Sequence, residues 1–349
     1  MTFLFIGGTQ FVGRHLVEAA RAAGHDVTLF HRGKTNPGLF PDIEHIHGDR
    51  ATDIGKLAGR RWDRVIDLCG YLPRVVTLSA DALRLNAAHY TFISSISVYK
   101  ELDTVTVASG MPPDPIDEMR SVIELADPTV EEITGETYGG LKYLCEQAAR
   151  QVFGHTRVLI VRPGLIVGPY DHTDRFTYWC HRAAAGGVMV VPGSPERHFP
   201  VIDVRDLVAW ILPMSDRAAS GVVNLGGPNV DGFRGGYDTG PEPTFANLLE
   251  AVGRATGASI EPVWMSSETM SRHGIDPESF PLWNQDAAGH EATFAIDSDR
   301  AFGSGLRCRP LADTVRDTLA WRTPLLSELP LKVGPTRERE AEMMRLVRG

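Results

Sequence analysis

The chain of 349 residues is 43% hydrophobic and 23% charged, an ordinary balance for a globular enzyme with a large buried core. A net charge of −9 argues against a polyanion such as nucleic acid as the main partner, and no run of ~18 apolar residues is present to span a membrane. Four cysteines, Cys69, Cys145, Cys180 and Cys308, show neither CxxC nor metal-type spacing, which predicts reduced thiols in a cytoplasmic protein.

Thr2 to Ile6 is a short apolar run, too short for a signal peptide and without a basic start, and it reads as a buried strand. Gly7, Gly8, Thr9, Gln10, Phe11, Val12 and Gly13 follow. A helical pattern from Phe11 to Ala23 places Val12, Leu16, Ala19, Ala20 and Ala23 on one face, and Gly24 closes it. A second apolar strand runs from Asp26 to Phe30. Strand, glycine-rich turn, helix and strand in about 30 residues make the βαβ unit that binds dinucleotides. Its helix N-terminus offers free N–H groups and a positive dipole end to a pyrophosphate. Gln10 stands where the fingerprint has a glycine. The second strand runs into His31, Arg32, Gly33 and Lys34. An NAD-selective site carries an acidic residue about 20 residues after the glycines, and none is found here. Arg32 suits the 2′-phosphate of NADP through a charge-assisted fork, so NADP is the expected cofactor, with NAD as the alternative.

Strands at 43–47, 64–68 and 89–94 then alternate with helical stretches near 73–86 and 137–153, and Val158 to Val161 adds a sixth strand. This alternation predicts a parallel sheet covered on both faces. His45 and His47 flank Ile46 on one of those strands and read as structural rather than ligating. The twelve histidines contain no HExxH arrangement, and no metal is expected. From Tyr90 to Tyr99 an apolar strand runs directly into hydroxyl residues, which puts Ser94, Ser95 and Ser97 at the carboxyl edge of the sheet, where open α/β sheets bind ligands. Residues 101–136 carry many carboxylates without periodicity and read as a solvated loop. Tyr138 and Lys142 stand at i and i+4, so they share one helical face. A phenol with a pKa of ~10 is a poor base at neutral pH, and a nearby cation favours its anion. Such a pair is a device for moving a proton on or off a hydroxyl.

From about residue 166 the pattern loosens into shorter elements. Asp203-x-x-Asp206 reads as a capped helix start continuing through Leu207, Val208 and Ile211. Gly226 to Pro243 holds six glycines and three prolines, a long loop expected beside the substrate. After Pro335, Thr336 to Arg348 is a charged helix pattern, a candidate surface for a partner subunit and hence for a homodimer.

The glycine turn, Ser95 after a central strand, and Tyr138 with Lys142 together resemble the extended short-chain dehydrogenase/reductase family, in its NAD-dependent epimerase/dehydratase branch. The resemblance continues through Val158 to Pro169, Arg197 to Asp206 and Leu311 to Trp321. The form of the glycine turn is similar to a sub-branch that includes chloroplast stem-loop-binding proteins and bacterial epimerase-like reductases. The resemblance implies an α/β fold, a Rossmann-type doubly wound parallel sheet with a smaller C-terminal substrate lobe. The expected division is 1–165 with 203–230 returning to it, a substrate lobe of 166–202 and 231–330, and a helical tail at 331–349. Asp49 would meet the adenine, Leu68, Cys69 and Gly70 would lie along the diphosphate, and Arg50 and Pro163 would join the cofactor set. Tyr138 would handle the hydroxyl proton. Lys142 would hold the nicotinamide ribose and depress the Tyr138 pKa, and Ser95 would orient the substrate oxygen.

The resemblance is weakest over the substrate. Ser97 occupies the region where nucleotide-sugar dehydratases carry an Asp-Glu pair, which argues against dehydration. Arg197 matches one diphosphate-clamping arginine of the nucleotide-sugar epimerases. A second arginine is absent from Ala288 to Glu291, and Gly164 replaces an asparagine. Arg205 and Arg234 are the remaining candidate donors. The expected activity is hydride transfer to or from a small polar ketone or secondary alcohol. The alternatives are a nucleotide-sugar epimerase with retained cofactor and a non-catalytic RNA-binding relative.

Overall fold

The computed structural model describes residues 1–99, 127–198, 201–228, 233–234, 237–238, 243–276, 279–283 and 296–348. Its centre is a seven-stranded parallel sheet in the order β10-β6-β5-β4-β1-β2-β3. The strands are β1 (Thr2–Ile6), β2 (Asp26–His31), β3 (Glu44–His47), β4 (Trp62–Asp67), β5 (Ala87–Ile93), β6 (Val158–Pro163) and β10 (Gly221–Leu225). Between β6 and β10 the chain makes β7 (Leu165–Val167), β8 (Gly187–Pro192) and β9 (Val201–Asp203), and β11 (Ile260–Met265) follows later. The order reverses at β1, so the crevice at its carboxyl end is the topological switch point that doubly wound sheets use for ligands.

The near-continuous apolar strands are explained by helices on both faces. Phe3 and Phe5 of β1 face α1 (Phe11–Ala22), which supplies Leu16 and Val17. The same layer holds α5 (Val204–Asp216), with Leu207, Trp210 and Ile211. Leu4 and Ile6 point the other way, into a layer with Val76 and Leu83 of α2 (Pro73–Leu83). That layer is completed by Cys145, Ala149 and Phe153 of α3 (Gly135–Phe153).

The second lobe has its own core. Phe176, Trp179 and Ala183 of α4 (Arg175–Ala184) pack with Phe245 and Leu248 of α6 (Phe245–Thr256). Val315 and Leu319 of α9 (Leu311–Arg322) join them. Two further short helices, α7 (Ser267–Arg272) and α8 (Asp299–Gly303), precede α9. β8 pairs in parallel with β11, and β7 with β9. The tail helix α10 (Arg337–Arg348) packs one of its faces against the second lobe. Its Glu340 is buried against Arg182 at 2.5 Å and accepts from the Val190 N–H at 3.2 Å, and Met343 is buried in the same core. The charged sequence of this helix conceals an apolar stripe and one buried carboxylate, both used within the chain. No described helix is long and apolar enough to cross a membrane.

The capped start at Asp203 is present, its carboxylate accepting from the Arg205 N–H at 2.8 Å. The expected loop around 101–136 lies outside the described residues up to 126, as does most of the glycine-rich stretch after Pro228.

A fork-to-fork ion pair beneath the sheet edge ties three elements together. Arg162 on β6 donates to both oxygens of Glu146 on α3, at 2.9 and 2.6 Å, and to the Tyr99 hydroxyl at 2.9 Å. Tyr99 donates in turn to Asn224 on β10 at 2.7 Å. Removing one member of a buried pair leaves the other charge without compensation. Arg162→Leu is therefore expected to cost about 3–5 kcal/mol in urea unfolding, and Arg162→Leu with Glu146→Leu markedly less. A double variant as unstable as the sum of both single variants would contradict this account.

Candidate active site

β5 ends at Ile93, and the chain turns through Ser94 and Ser95 into a short 3₁₀ turn, Ile96–Val98. Ser95 caps that turn, accepting from the Ser97 N–H at 3.1 Å and donating to the Ser97 hydroxyl at 3.0 Å. α3 opens with a capping box between Thr134 and Thr137, which fixes where Tyr138 emerges. The Tyr138 phenol and the Ser95 side chain face the same cavity, close enough for Ser95 to act on the phenol's pKa. The two hydroxyls are thus brought together from positions 43 residues apart (138 − 95).

Lys142 is 3% exposed, and its ammonium donates to the Gly70 carbonyl at 2.9 Å and the Ile93 carbonyl at 2.7 Å. Among the described residues no carboxylate is within ion-pairing reach of it. Its remaining neighbours are the ring faces of Phe92 at 4.5 Å and Tyr71 at 5.2 Å. Burial pushes the Lys142 pKa down. Burial likewise raises the Tyr138 pKa, opposed by the neighbouring Ser95 hydroxyl and by the charge of Arg175. Arg175, from the second lobe, is thus a cation acting on the phenol. Glu146, one turn beyond Lys142 on the same helix face, accepts from the Ser94 hydroxyl at 2.5 Å. The buried ion pair with Arg162 thus supports the strand end that carries Ser95.

These residues line one end of a cavity of ≈ 840 Å³, whose other end is the glycine turn. Gly7, Thr9, Gln10, Phe11, Val12, Gly13, His31, Arg32, Asp49, Arg50, Leu68, Cys69 and Pro163 line it, with Ser95, Ser97, Tyr138 and Lys142. Gly70 does not line it; it contributes through its carbonyl and through close packing, since a Cβ there would sit 2.4 Å from the Phe92 ring. Arg50 turns its guanidinium inward, donating to both oxygens of buried Asp67 at 2.8 and 2.7 Å. It therefore shapes the wall rather than offering a free cation. Burial raises the Cys69 thiol pKa, which keeps it protonated. Arg32 is exposed at the rim, as a 2′-phosphate contact requires.

The turn itself fits a dinucleotide. Gly7 and Gly8 have φ of 100° and 105°, conformations that side chains rarely adopt. A Cβ on Gly13 would lie 2.7 Å from the Gly8 Cα, so helix and turn approach closely enough to expose the backbone amides. Phe11, which opens α1, has φ of 39°, a strained value for a bulky residue and a mark of a functional turn.

The second lobe contributes Asp171, His172, Thr173 and Arg175, and Tyr71 enters from the first. Sequence reasoning missed all five. Tyr71 follows β4 at the carboxyl edge, a position that could have flagged it. The 171–175 loop lies in an aperiodic stretch that gave no signal. Buried Asp174 anchors the loop, held by Arg322 at 3.2 Å and by the Lys332 N–H at 3.2 Å. Arg175 donates to the Thr173 hydroxyl at 3.2 Å.

The arginines expected at the substrate do not gather here. Arg197 is not among the cavity-lining residues, and its guanidinium lies 5.8 Å from the Trp283 ring centre. Arg205 is committed to Asp203 at 2.7 Å and to Asp317. Arg309 is paired with Asp206 at 2.7 Å. Arg234 sits in a two-residue strand, and its side chain lies outside the described residues.

A sequence model of the NAD dependent epimerase/dehydratase family matches residues 3–226. The chain belongs to this family. Among curated relatives it is 28% identical over 266 residues to the epimerase family protein SDR39U1 of Bos taurus, covering 74% of this chain and 81% of that one. It is 26% identical over 250 residues to the chloroplast stem-loop binding protein of 41 kDa b of Arabidopsis thaliana, covering 66% of this chain and 60% of that relative. Among solved structures, UDP-glucuronic acid 4-epimerase of Bacillus cereus in complex with NAD superposes with a TM-score of 0.64 at 15% identity, covering 95% of this chain and 100% of that one. UDP-glucose 4-epimerase of Thermotoga maritima with UDP-glucose gives 0.63 at 16%, covering 93% and 100%. At these identities the structural likeness establishes the fold, a Rossmann-type sheet with a C-terminal lobe.

Gly13→Ala tests the turn. The added methyl meets backbone, which cannot step aside as a side chain can, so NADPH and NADH affinity should each fall at least ~10-fold, about 1.4 kcal/mol. Fluorescence titration reads this, and an unchanged dissociation constant would show that the cofactor does not lie on this turn.

Proposed function

We propose that the protein is a nicotinamide-dependent oxidoreductase that interconverts a small polar ketone and its secondary alcohol. The observation that carries this reading is the meeting of Tyr138 and Ser95 in a cavity shared with the glycine turn. When bound, the nicotinamide supplies or takes the hydride. Ser95 orients the substrate oxygen, and Tyr138 gives or takes the proton at its phenolic oxygen. Lys142 fixes the separation of the Gly70 and Ile93 carbonyls, and so the floor on which the ribose would rest. The exposed Arg32 and the missing acidic residue favour NADP over NAD.

A second reading, a nucleotide-sugar epimerase, is supported by Arg175 as a cation beside Tyr138 and by the UDP-sugar epimerases of the same fold. Against it, Arg197 does not line the cavity and Arg205 is already paired. Nicotinamide absorbance in the freshly purified protein separates the two readings, because an epimerase retains its cofactor through the catalytic cycle.

The raised Tyr138 pKa sets the sign of the pH dependence. In the ligand-free enzyme the phenol keeps its proton through neutral pH, the form needed as an acid. For carbonyl reduction kcat/KM should be flat from about pH 6 to 8, whereas for alcohol oxidation it should climb with pH without a plateau below the phenol range of ~10. Tyr138→Phe should abolish turnover with cofactor affinity almost intact, and Lys142→Ala should lower both. Full activity in Tyr138→Phe would remove the phenol from the mechanism.

Arg32→Glu should weaken NADPH binding by about 1.5–3 kcal/mol, the weight of a charge-assisted hydrogen bond, and leave NADH nearly unchanged. Equal wild-type affinities for the two cofactors by titration calorimetry would refute the NADP assignment.

A further inference from the structure

Three imidazoles gather on one face of the sheet near its β3 edge. The parallel register of β2 on β3 sets His31 beside His47 and Leu29 beside His45. His45 and His47 are two residues apart on a strand, so both project to the same face, within reach of His31. One ring nitrogen from each lies within 4.8 Å of the other two. The rings stand edge to face, with centroids 5.0, 5.1 and 6.0 Å apart and interplanar angles of 77°, 64° and 86°.

Hydrogen bonds fix the tautomers. The Phe40 carbonyl, 2.9 Å from His45 Nε2, can only accept, so that nitrogen carries the proton and Nδ1 offers a lone pair. The Gly33 N–H donates to His31 Nδ1 at 3.0 Å, which leaves the His31 proton on Nε2, 2.7 Å from His45 Nδ1. Among the described residues the His47 ring takes no part in this chain. An imidazole that gives one N–H to a backbone carbonyl and turns its other nitrogen toward two more imidazoles is oriented as metal-ligating histidines are.

We propose that His31, His45 and His47 form a binding site for a borderline divalent transition ion, Zn²⁺ or its neighbours Co²⁺ and Ni²⁺, with water completing a four-coordinate shell. Around a tetrahedral ion with bonds of about 2.0–2.1 Å, ligand nitrogens lie about 3.4 Å apart. His31 Nε2 and His45 Nδ1 therefore separate by well under an ångström. The ion takes the place of the proton on His31 Nε2, and that proton moves to Nδ1, so the imidazole stays neutral. The Gly33 N–H loses its acceptor, and the rearrangement falls on a glycine with φ of 72°, in the turn that follows Arg32. Such a site gives His45 and His47 a role beyond joining the strands.

The test uses the full chain without a histidine tag. Dialysis against micromolar Zn²⁺, with metal content read by mass spectrometry, should give one ion per chain. Co²⁺ in its place should show the visible bands of a four-coordinate nitrogen–oxygen site and no sulfur charge-transfer band. His47→Ala removes an exposed ligand that supports no hydrogen bond through its ring. It should weaken Zn²⁺ binding at least tenfold while metal-free thermal unfolding matches wild type, and His31→Ala should weaken binding likewise. No stoichiometric uptake by the wild type, wild-type affinity in both variants, or a thiolate spectrum would overturn the proposal and leave a histidine relay that only joins β2 to β3.

Discussion

The constraint on which the site depends is a buried ammonium without a carboxylate beside it. Lys142 is held by two backbone carbonyls, one from the connection after β4 and one from the end of β5. A charge in that position is expensive to desolvate, and two hydrogen bonds recover only part of the cost. What remains is an electrostatic demand on the cavity, which favours an electron-rich group above Lys142. The same two bonds set the height of α3 over the sheet, and with it the place where Tyr138 meets Ser95. Loss of this residue would therefore alter geometry and field together.

Two fork-shaped ion pairs brace that arrangement from below. Arg50 with Asp67 closes the wall next to the glycine turn, and Arg162 with Glu146 supports the end of β5. Both are buried pairs with added hydrogen bonds from Ser79, Tyr90, Ser94 or Tyr99, the condition under which such pairs repay their desolvation. The second lobe reaches the cavity through the 171–175 loop, which hangs from Asp174.

Most of the first domain was legible because its signals are local. β1, α1 and β2 fall within one or two residues of the positions that apolar runs and glycine punctuation predict, and Tyr138 and Lys142 could be paired by helical periodicity alone. The second lobe was not. Its core is assembled from α4, α6, α9 and α10, helices separated by long aperiodic stretches, and contacts among them leave no mark in any short window. Arg175 illustrates the limit, as its importance comes from the bend at Asp174, which Arg322 and Lys332 impose from 148 and 158 residues away. Arg205 failed in the opposite sense, since a free-looking cation proved to be occupied by Asp203 and Asp317. Asp203 is only two residues from Arg205, but Asp317 lies 112 residues on, and charge in a sequence does not reveal so distant a partner.

The buried carboxylate of Glu340 has a consequence for the order in which the molecule assembles. α4 and β8 expose Arg182, Val190 and the apolar surface that receives Met343 until α10 docks on them. During synthesis the nucleotide-binding sheet can close once β10 has emerged, whereas the substrate lobe must wait for more than a hundred further residues. A nascent chain would therefore pass through a stage with a formed glycine turn and an unfinished second lobe.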